Sequence, residues 1–368
     1  MIYDVKDGPL LVNTYATAIG QQIVEVVLNS PEALNALNGD MVDLLLEYVP
    51  AWEADDNVIA IVMRGAGNKA FCAGGDIRQL YREIAAGNQH VGEVFFNHEY
   101  EMDLMLHNLV TPLIVWGNGY VIGGGMGLLQ SAAIRIGTQS SRLAMPEVTI
   151  GLFPDVGASY FLRQVPDHLG LFLGLTGAML NGTDGRQLGL LDGLLNDDHY
   201  QKLMQCLLAM PSQSHEETLV HLKDKVLKLE TSTSETPESN LDHHRAEIIS
   251  ALKQVDLADI ISSLSNLKGT SKWLDKAIAT MEQGSPTSLH LYHRLFQANF
   301  TNVEQALLQE YIIGVNATRL GEFKEGVRAL LIDKDRNPNW RYKSVEITPK
   351  NWINQFFSTQ DVAPANFS

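Results

Sequence analysis

Two carboxylates in an otherwise apolar stretch, and two clusters of glycine, are the residues whose types and spacing could do chemistry. Glu147 and Asp155 lie in Met145-Pro146-Glu147-Val148-Thr149-Ile150-Gly151-Leu152-Phe153-Pro154-Asp155-Val156-Gly157, among apolar residues, proline and glycine. A carboxylate buried in such surroundings must be partnered, metal-bound or functional, because leaving it unsatisfied is costly. Structural roles compete: a helix start or a salt bridge for Glu147, and an N-cap ahead of residues 156–162 for Asp155. From spacing alone those roles are the stronger reading, since buried charges are often simply paired. The glycine clusters, Ala73-Gly74-Gly75-Asp76 and Gly123-Gly124-Gly125-Met126-Gly127, each follow an apolar run. Glycine lets a ligand approach the backbone, and free N–H groups at a helix start stabilise an anion. Taken singly, either cluster reads as a tight turn, and neither has the Gly-x-Gly-x-x-Gly spacing of a dinucleotide site.

Two other features have bland readings. His243-His244 adjoins a polar stretch without further ligands at metal spacing, so solvent exposure is expected. Cys72 stands beside the first glycine cluster without an identifiable base, which suits a small packing residue better than a nucleophile.

The elements that must position these residues alternate along the chain. Ile23-Val24-Glu25-Val26-Val27-Leu28 closes a β-like run that began near residue 12, and Met41, Leu44, Leu45, Tyr48 and Val49 recur at helical spacing. Val58 to Met63 is a continuous apolar run of the kind found in buried parallel strands. Leu113-Ile114-Val115-Trp116 reads as another strand, residues 123–131 as a glycine-opened helix, and Ile134–Gly137 and Arg142–Met145 as further strands. Interleaved strands and helices predict an α/β domain with crossover connections. Residues 160–192 read as helical, with Thr183 or Asp184 capping a helix start. Residues 230–240 are polar and read as a loop, and from Ala246 to Leu331 apolar positions return at helical spacing, as in Ile278/Met281 and Leu307/Leu308/Tyr311/Ile312.

The 368 residues exceed the roughly 250–300 at which single cores stop growing, so a main domain with an appended segment is expected. The division read from the sequence is a core over 1–200, a helical segment over 201–345 and a tail over 346–368. With 27 basic and 43 acidic residues, net -16, a broad nucleic-acid or anionic-membrane surface is excluded; an anionic ligand needs a local site. No apolar run reaches the ~18 residues of a membrane span. Two cysteines without a metal or disulfide pattern, and an N-terminus lacking the look of a secretory or organelle leader, point to the cytosol.

Assembled, the motifs resemble one family. Asn35-Ala36-Leu37, Phe71-Cys72-Ala73-Gly74-Gly75-Asp76-Ile77, the strand Leu113-Ile114-Val115 leading to Gly123-Gly124-Gly125, and Pro146-Glu147 before Gly151 are similar in order and spacing to the crotonase (enoyl-CoA hydratase/isomerase) superfamily. Phe95-Phe96 with Glu99-Tyr100, residues 151–157, Ser285-Pro286-Thr287-Ser288, and residues 325–340 resemble its 3-hydroxyisobutyryl-CoA hydrolase branch. The resemblance implies a crotonase-like (ClpP/crotonase) ββα spiral core with an additional helical C-terminal segment. It also implies an oxyanion hole made by the N–H groups of Gly75 and Gly124, where removing one donor typically costs ~2.7–4 kcal/mol. Glu147 and Asp155 become the catalytic pair. Glu99, Gly74, Asp76, Ile77, Arg78, Ala36 and Leu37 become substrate-binding residues; for Glu99 a solvated helix position is an equal alternative.

Hydratases of the family use two glutamates, and the first falls here on Gly127, which favours hydrolysis over hydration. The implied reaction is cleavage of a short 3-hydroxyacyl-CoA, in valine catabolism, with no cofactor because coenzyme A is part of the substrate, and with no metal. An enoyl- or dienoyl-CoA isomerase or hydratase is the alternative, and a non-catalytic CoA-binding scaffold a third. Relatives commonly form trimers or hexamers, so the expected state is a homo-oligomer, unless the helical tail covers the trimer surface.

Overall fold

The computed structural model describes residues 4–211, 214–230 and 235–367. The chain weaves through two compact units. The first comprises residues 1–75, 102–143 and 180–240, and the second residues 76–101, 144–179 and 241–368.

The first unit is built on two sheets. The larger runs in the order β1 (Leu10–Ala16), β2 (Gln22–Leu28), β3 (Val58–Gly65), β5 (Leu113–Gly117), β7 (Ile134–Thr138), β10 (Gly193–Leu195). β1 and β2 form an antiparallel hairpin, and every later pair is parallel. The smaller sheet contains β4 (Ala70–Cys72), β6 (Tyr120–Ile122), β8 (Arg142–Ala144) and β9 (Leu180–Asn181). Each repeat therefore sends one strand into the large sheet and the next, three residues long, into the small one: β3 then β4, β5 then β6, β7 then β8. This is the expected ββα spiral. The apolar run of β3 is buried along its length because a parallel strand is covered on both faces. Ile23, Val62, Ile114, Trp116 and Ile136 of the large sheet pack with Leu203, Met204, Leu207, Leu222 and Val226 of the helices Tyr200–Leu208 and His215–Leu229.

The helix expected around Met41 spans Gly39–Glu53 and buries Met41, Leu45, Tyr48 and Val49. Asn38 caps it, its side chain accepting from the N–H of Met41. Three expectations need correction. The stretch 160–192 is not continuously helical: Val165 is extended ahead of Pro166, as residues before proline are, and Asp167 and His168 take φ near 60° before the helix Leu169–Thr176. The helix start at 182 is capped by Asn181 rather than by Thr183 or Asp184. Asp184 instead completes a reciprocal capping box, accepting from the N–H of Asn181. Of the apolar positions expected on the tail helix Val303–Leu320, Leu307 and Tyr311 are buried while Leu308 is 39% exposed; the buried stripe runs instead through Ala306, Leu307, Glu310, Ile313, Gly314 and Ala317. Within the polar stretch 230–240, residues 231–234 lie outside the described residues; Glu230 ends a helix and 235–240 form neither helix nor strand.

In the second unit the tail is helical over Arg245–Ala251, Leu257–Ser265, Lys272–Gln283, Pro286–Gln297, Val303–Leu320 and Glu322–Val327. It packs closely on the segment carrying Glu147. The Ser285 N–H donates to the Val148 carbonyl at 2.9 Å. At Gly151, φ 70°, a Cβ would stand 2.2 Å from the Glu322 carbonyl oxygen, so only glycine lets the two backbones approach.

Candidate active site

In the first unit the two glycine clusters meet. β4 and β6 are parallel neighbours, so the loops that follow them emerge side by side. An added Cβ on Gly74 would lie 3.7 Å from the Gly124 nitrogen, and Gly74, at φ 99°, needs glycine's freedom in any case. Gly125 closes the packing from the other side: its Cβ would sit 2.9 Å from the Cβ of Cys72, which is buried and small, as the packing role requires. The helix Gly124–Gln130 begins with no side-chain cap, so its first N–H groups have no intrahelical acceptor. Gly127 is buried in that helix. Leu37 joins this cluster, its N–H donating to the Gly74 carbonyl at 2.8 Å and its backbone bridging to Gly75, while the Ala36 N–H donates to the Ala33 carbonyl. Asn35 holds the loop, accepting from the Ser30 N–H and donating to the Ala66 and Ala70 carbonyls.

At the start of the second unit, Asp76 caps the helix Ile77–Ala85 by accepting from the Arg78 N–H at 3.2 Å. Ile77 is half-buried and the Arg78 side chain is exposed.

The second unit also gathers the carboxylates. Glu147 opens a short 3-10 turn, Glu147–Ile150, behind Pro146; Asp155 sits in the turn before the helix Ala158–Phe161; Glu99 and Tyr100 come from the helix Val91–His107. Glu99, Glu147 and Asp155 are all buried, so the solvated alternative for Glu99 is overturned. Asp155 is not an N-cap either, because Gly157 occupies that position. Nor does Glu147 form a salt bridge among the described residues; its Oε2 is buried with no hydrogen-bond partner among them. Asp155 accepts from the Tyr100 hydroxyl through Oδ2 at 2.7 Å.

Burial in this apolar setting disfavours the charged forms. It lifts the Glu99 pKa to about 8, with the Asp155 charge adding to the effect. Glu147 is pushed well above the ordinary carboxylate range by burial and then by the charge of Asp155. Asp155 rises to about 6 through burial, opposed by the Tyr100 hydrogen bond. Carboxylates that feel one another's charge and hold perturbed pKa values suit proton transfer or attack on an electrophile near neutral pH.

Two neighbours of these carboxylates, Tyr100 and Glu310, escaped the sequence reading. Tyr100 was visible only as a motif neighbour of Glu99. Glu310, on the tail helix, is fully buried, and Ser159 donates to it from both its N–H and its hydroxyl. The signal for Glu310 was a carboxylate falling on the apolar stripe of its helix.

A spiral of mostly parallel strands that sets two glycine loops side by side defines a class. The enoyl-CoA hydratase/isomerase family matches over residues 23–357, and the chain belongs to that family. Among curated relatives it is 34% identical over 358 residues to a Xenopus tropicalis protein named 3-hydroxyisobutyryl-CoA hydrolase, mitochondrial, covering 97% of this chain and 90% of that one. It is 34% identical over 335 residues to the Homo sapiens protein of the same name, covering 90% and 86%. Of solved structures, an enoyl-CoA hydratase from Rhodobacter sphaeroides aligns with a TM-score of 0.79 at 30% identity, covering 94% of this chain and 97% of that one. A carnitinyl-CoA dehydratase from Mycobacterium thermoresistibile aligns with a TM-score of 0.82 at 28% identity, covering 97% and 98%. No helix among the described residues is long and apolar enough to cross a membrane.

Proposed function

We propose that the chain hydrolyses a short 3-hydroxyacyl-CoA thioester, 3-hydroxyisobutyryl-CoA above others, to the free acid and coenzyme A. The observation that carries this reading is the buried Glu147, with one oxygen unpartnered among the described residues and its pKa raised beside Asp155. A buried polar atom left without a partner is rare enough to call for a reactive or ligand-binding role. The names of the curated relatives support the choice of acyl group.

In this reading the N–H groups of Gly75 and Gly124 hold the thioester oxygen as it gains negative charge. Glu147, ionised, attacks the carbonyl carbon to form a mixed anhydride, or removes a proton from the water that does. Either way a C–O bond forms, the C–S bond breaks and coenzyme A leaves as a thiolate. In the anhydride route water then cleaves the anhydride, releasing the free acid and restoring the Glu147 carboxylate, and in both routes the proton given up by that water goes to the thiolate. Asp155, whose Oδ2 is engaged by Tyr100, accepts the substrate 3-hydroxyl through Oδ1. Glu99 adds a polar contact near the acyl end, while Ala36, Leu37, Ile77 and Arg78 line the coenzyme. No separate cofactor takes part, and the reaction belongs to valine catabolism. Gly127 argues against hydration, since it stands where the first of a hydratase's two glutamates would be. The reducing setting inferred from two free cysteines is compatible with the cytosol and with the mitochondrial setting in the relatives' names.

Thiol release from 3-hydroxyisobutyryl-CoA tests the proposal. Free coenzyme A should appear with the wild type and fall by at least about 100-fold with Glu147→Gln, as loss of a general base or nucleophile does. An absorbance change at the acyl group without thiol release would replace the hydrolase by an isomerase, and wild-type turnover in the variant would remove Glu147 from the mechanism.

A further inference from the structure

The turn that carries Asp155 is strained, and the helical tail grips it. Val156 adopts φ 52°, a left-handed conformation that β-branched residues rarely take, and Gly157 follows at φ 84°. Such a conformation persists only where the surroundings impose it. Here the surroundings are the carboxylate of Glu310. Its Oε2 accepts from the Gly157 N–H at 2.7 Å, and its Oε1 from the Ser159 N–H at 2.9 Å and from the Ser159 hydroxyl. They come from the N-cap, Gly157, and from the first turn of the helix Ala158–Phe161, where no intrahelical acceptor exists.

The same tail helix reaches Asp155 by a second path. Four residues beyond Glu310, and so on the same face, Gly314 leaves room for the ring of Phe96; a Cβ there would stand 3.0 Å from the ring. The Phe96 ring lies 5.5 Å from that of Tyr100, and the Tyr100 hydroxyl donates to Asp155 Oδ2. One helix therefore holds the backbone on the C-terminal side of Asp155 and braces the side chain that orients its carboxylate.

We propose that Glu310 is a positioning residue that sets selectivity for the substrate 3-hydroxyl by fixing the Asp155 turn. The proposal rests on the hydrolase reading, in which Asp155 accepts that hydroxyl. A glutamine at 310 keeps the size of the side chain but turns an NH2 group toward one of the three donors, so the grip is lost on one side.

The test compares kcat/KM for 3-hydroxyisobutyryl-CoA and for isobutyryl-CoA, the same acyl group without the hydroxyl. Glu310→Gln should lower the ratio of the two by at least about tenfold while isobutyryl-CoA turnover stays within about threefold of wild type. In an Asp155→Asn background Glu310→Gln should change the ratio no further, because the two act through one contact. A ratio unchanged by Glu310→Gln, or a second full loss in the Asp155→Asn background, would overturn the positioning role while leaving hydrolysis intact. Absence of thiol release from either ester with the wild type would remove the hydrolase reading, and this role with it. Should Glu310→Gln not fold, Ser159→Ala decides: it deletes one of the three donors and keeps both N–H bonds, so a drop in the ratio of about threefold is expected and a wild-type ratio refutes the proposal.

Discussion

Replacing Glu99 by glutamine should leave the protein unchanged in acid and stabilise it in alkali. Burial, with the Asp155 charge behind it, lifts the Glu99 pKa from 4.5 to about 8. Between those values the folded state holds a proton that the unfolded chain has released. Stability contributed by this group is therefore fully present below pH 4.5 and lost as pH rises through 8. At about 1.4 kcal/mol per pH unit, the full loss is of the order of 5 kcal/mol. Glutamine has nearly the shape of the protonated acid and never ionises, so it escapes that loss. Urea unfolding followed by far-UV circular dichroism at pH 5 and pH 9 measures the difference. At pH 5 the variant should match wild type within about 1 kcal/mol, and at pH 9 it should be more stable by about 2 to 5 kcal/mol. An equal difference at both pH values, or a variant less stable at pH 9, would refute the argument that Glu99 is a buried acid held neutral by its surroundings.

Other outcomes follow from the same geometry. Gly124→Pro deletes a main-chain donor at the first position of a helix, where proline is tolerated, so kcat should fall about 100- to 1000-fold with circular dichroism unchanged; near-wild-type kcat would exclude that N–H from the oxyanion hole. If Glu147 acts ionised, kcat/KM should rise with pH along an acid limb displaced well above the ordinary carboxylate range, because burial and then the Asp155 charge raise the Glu147 pKa; a limb near 4.5 would show that the reacting carboxylate is solvated. Gly151→Ala should lower stability by at least about 2 kcal/mol in urea unfolding, since it combines φ 70° with a Cβ 2.2 Å from the Glu322 carbonyl oxygen; full stability would mean the tail yields there easily.

Much of the first unit was legible because its long strands announce themselves. Val58–Met63 and Leu113–Trp116 are apolar without interruption, which is what burial on both faces demands. β4 and β6 were not, because three residues show no periodicity, and their place in a second sheet depends on partners distant in the chain. The carboxylate pair was legible from its apolar setting and from motif order, yet its surroundings were not. Tyr100 and Ser159 carry hydroxyls that could face any direction on a helix, and only tertiary contacts turn them inward. Glu310 could have been found: the stripe read through Leu307, Leu308, Tyr311 and Ile312 includes the buried Leu307 and Tyr311 but is centred away from Ala306, Glu310, Ile313 and Gly314, which placed the acid on the wrong side.

The repeated alternation between the two sheets separates what must stay constant from what can change. β4, β6 and β8 are successive three-residue strands, and each hands the chain to a short loop: Ala73 to Asp76, Gly123 to Gly127, and Met145 to Glu147. The first two loops are glycine-rich and present mostly backbone, apart from the Asp76 side chain that caps the next helix. The third supplies a side chain, that of Glu147, which a single substitution can change. A scaffold arranged in this way can exchange one acid for another on the third loop while the two glycine loops stay unaltered.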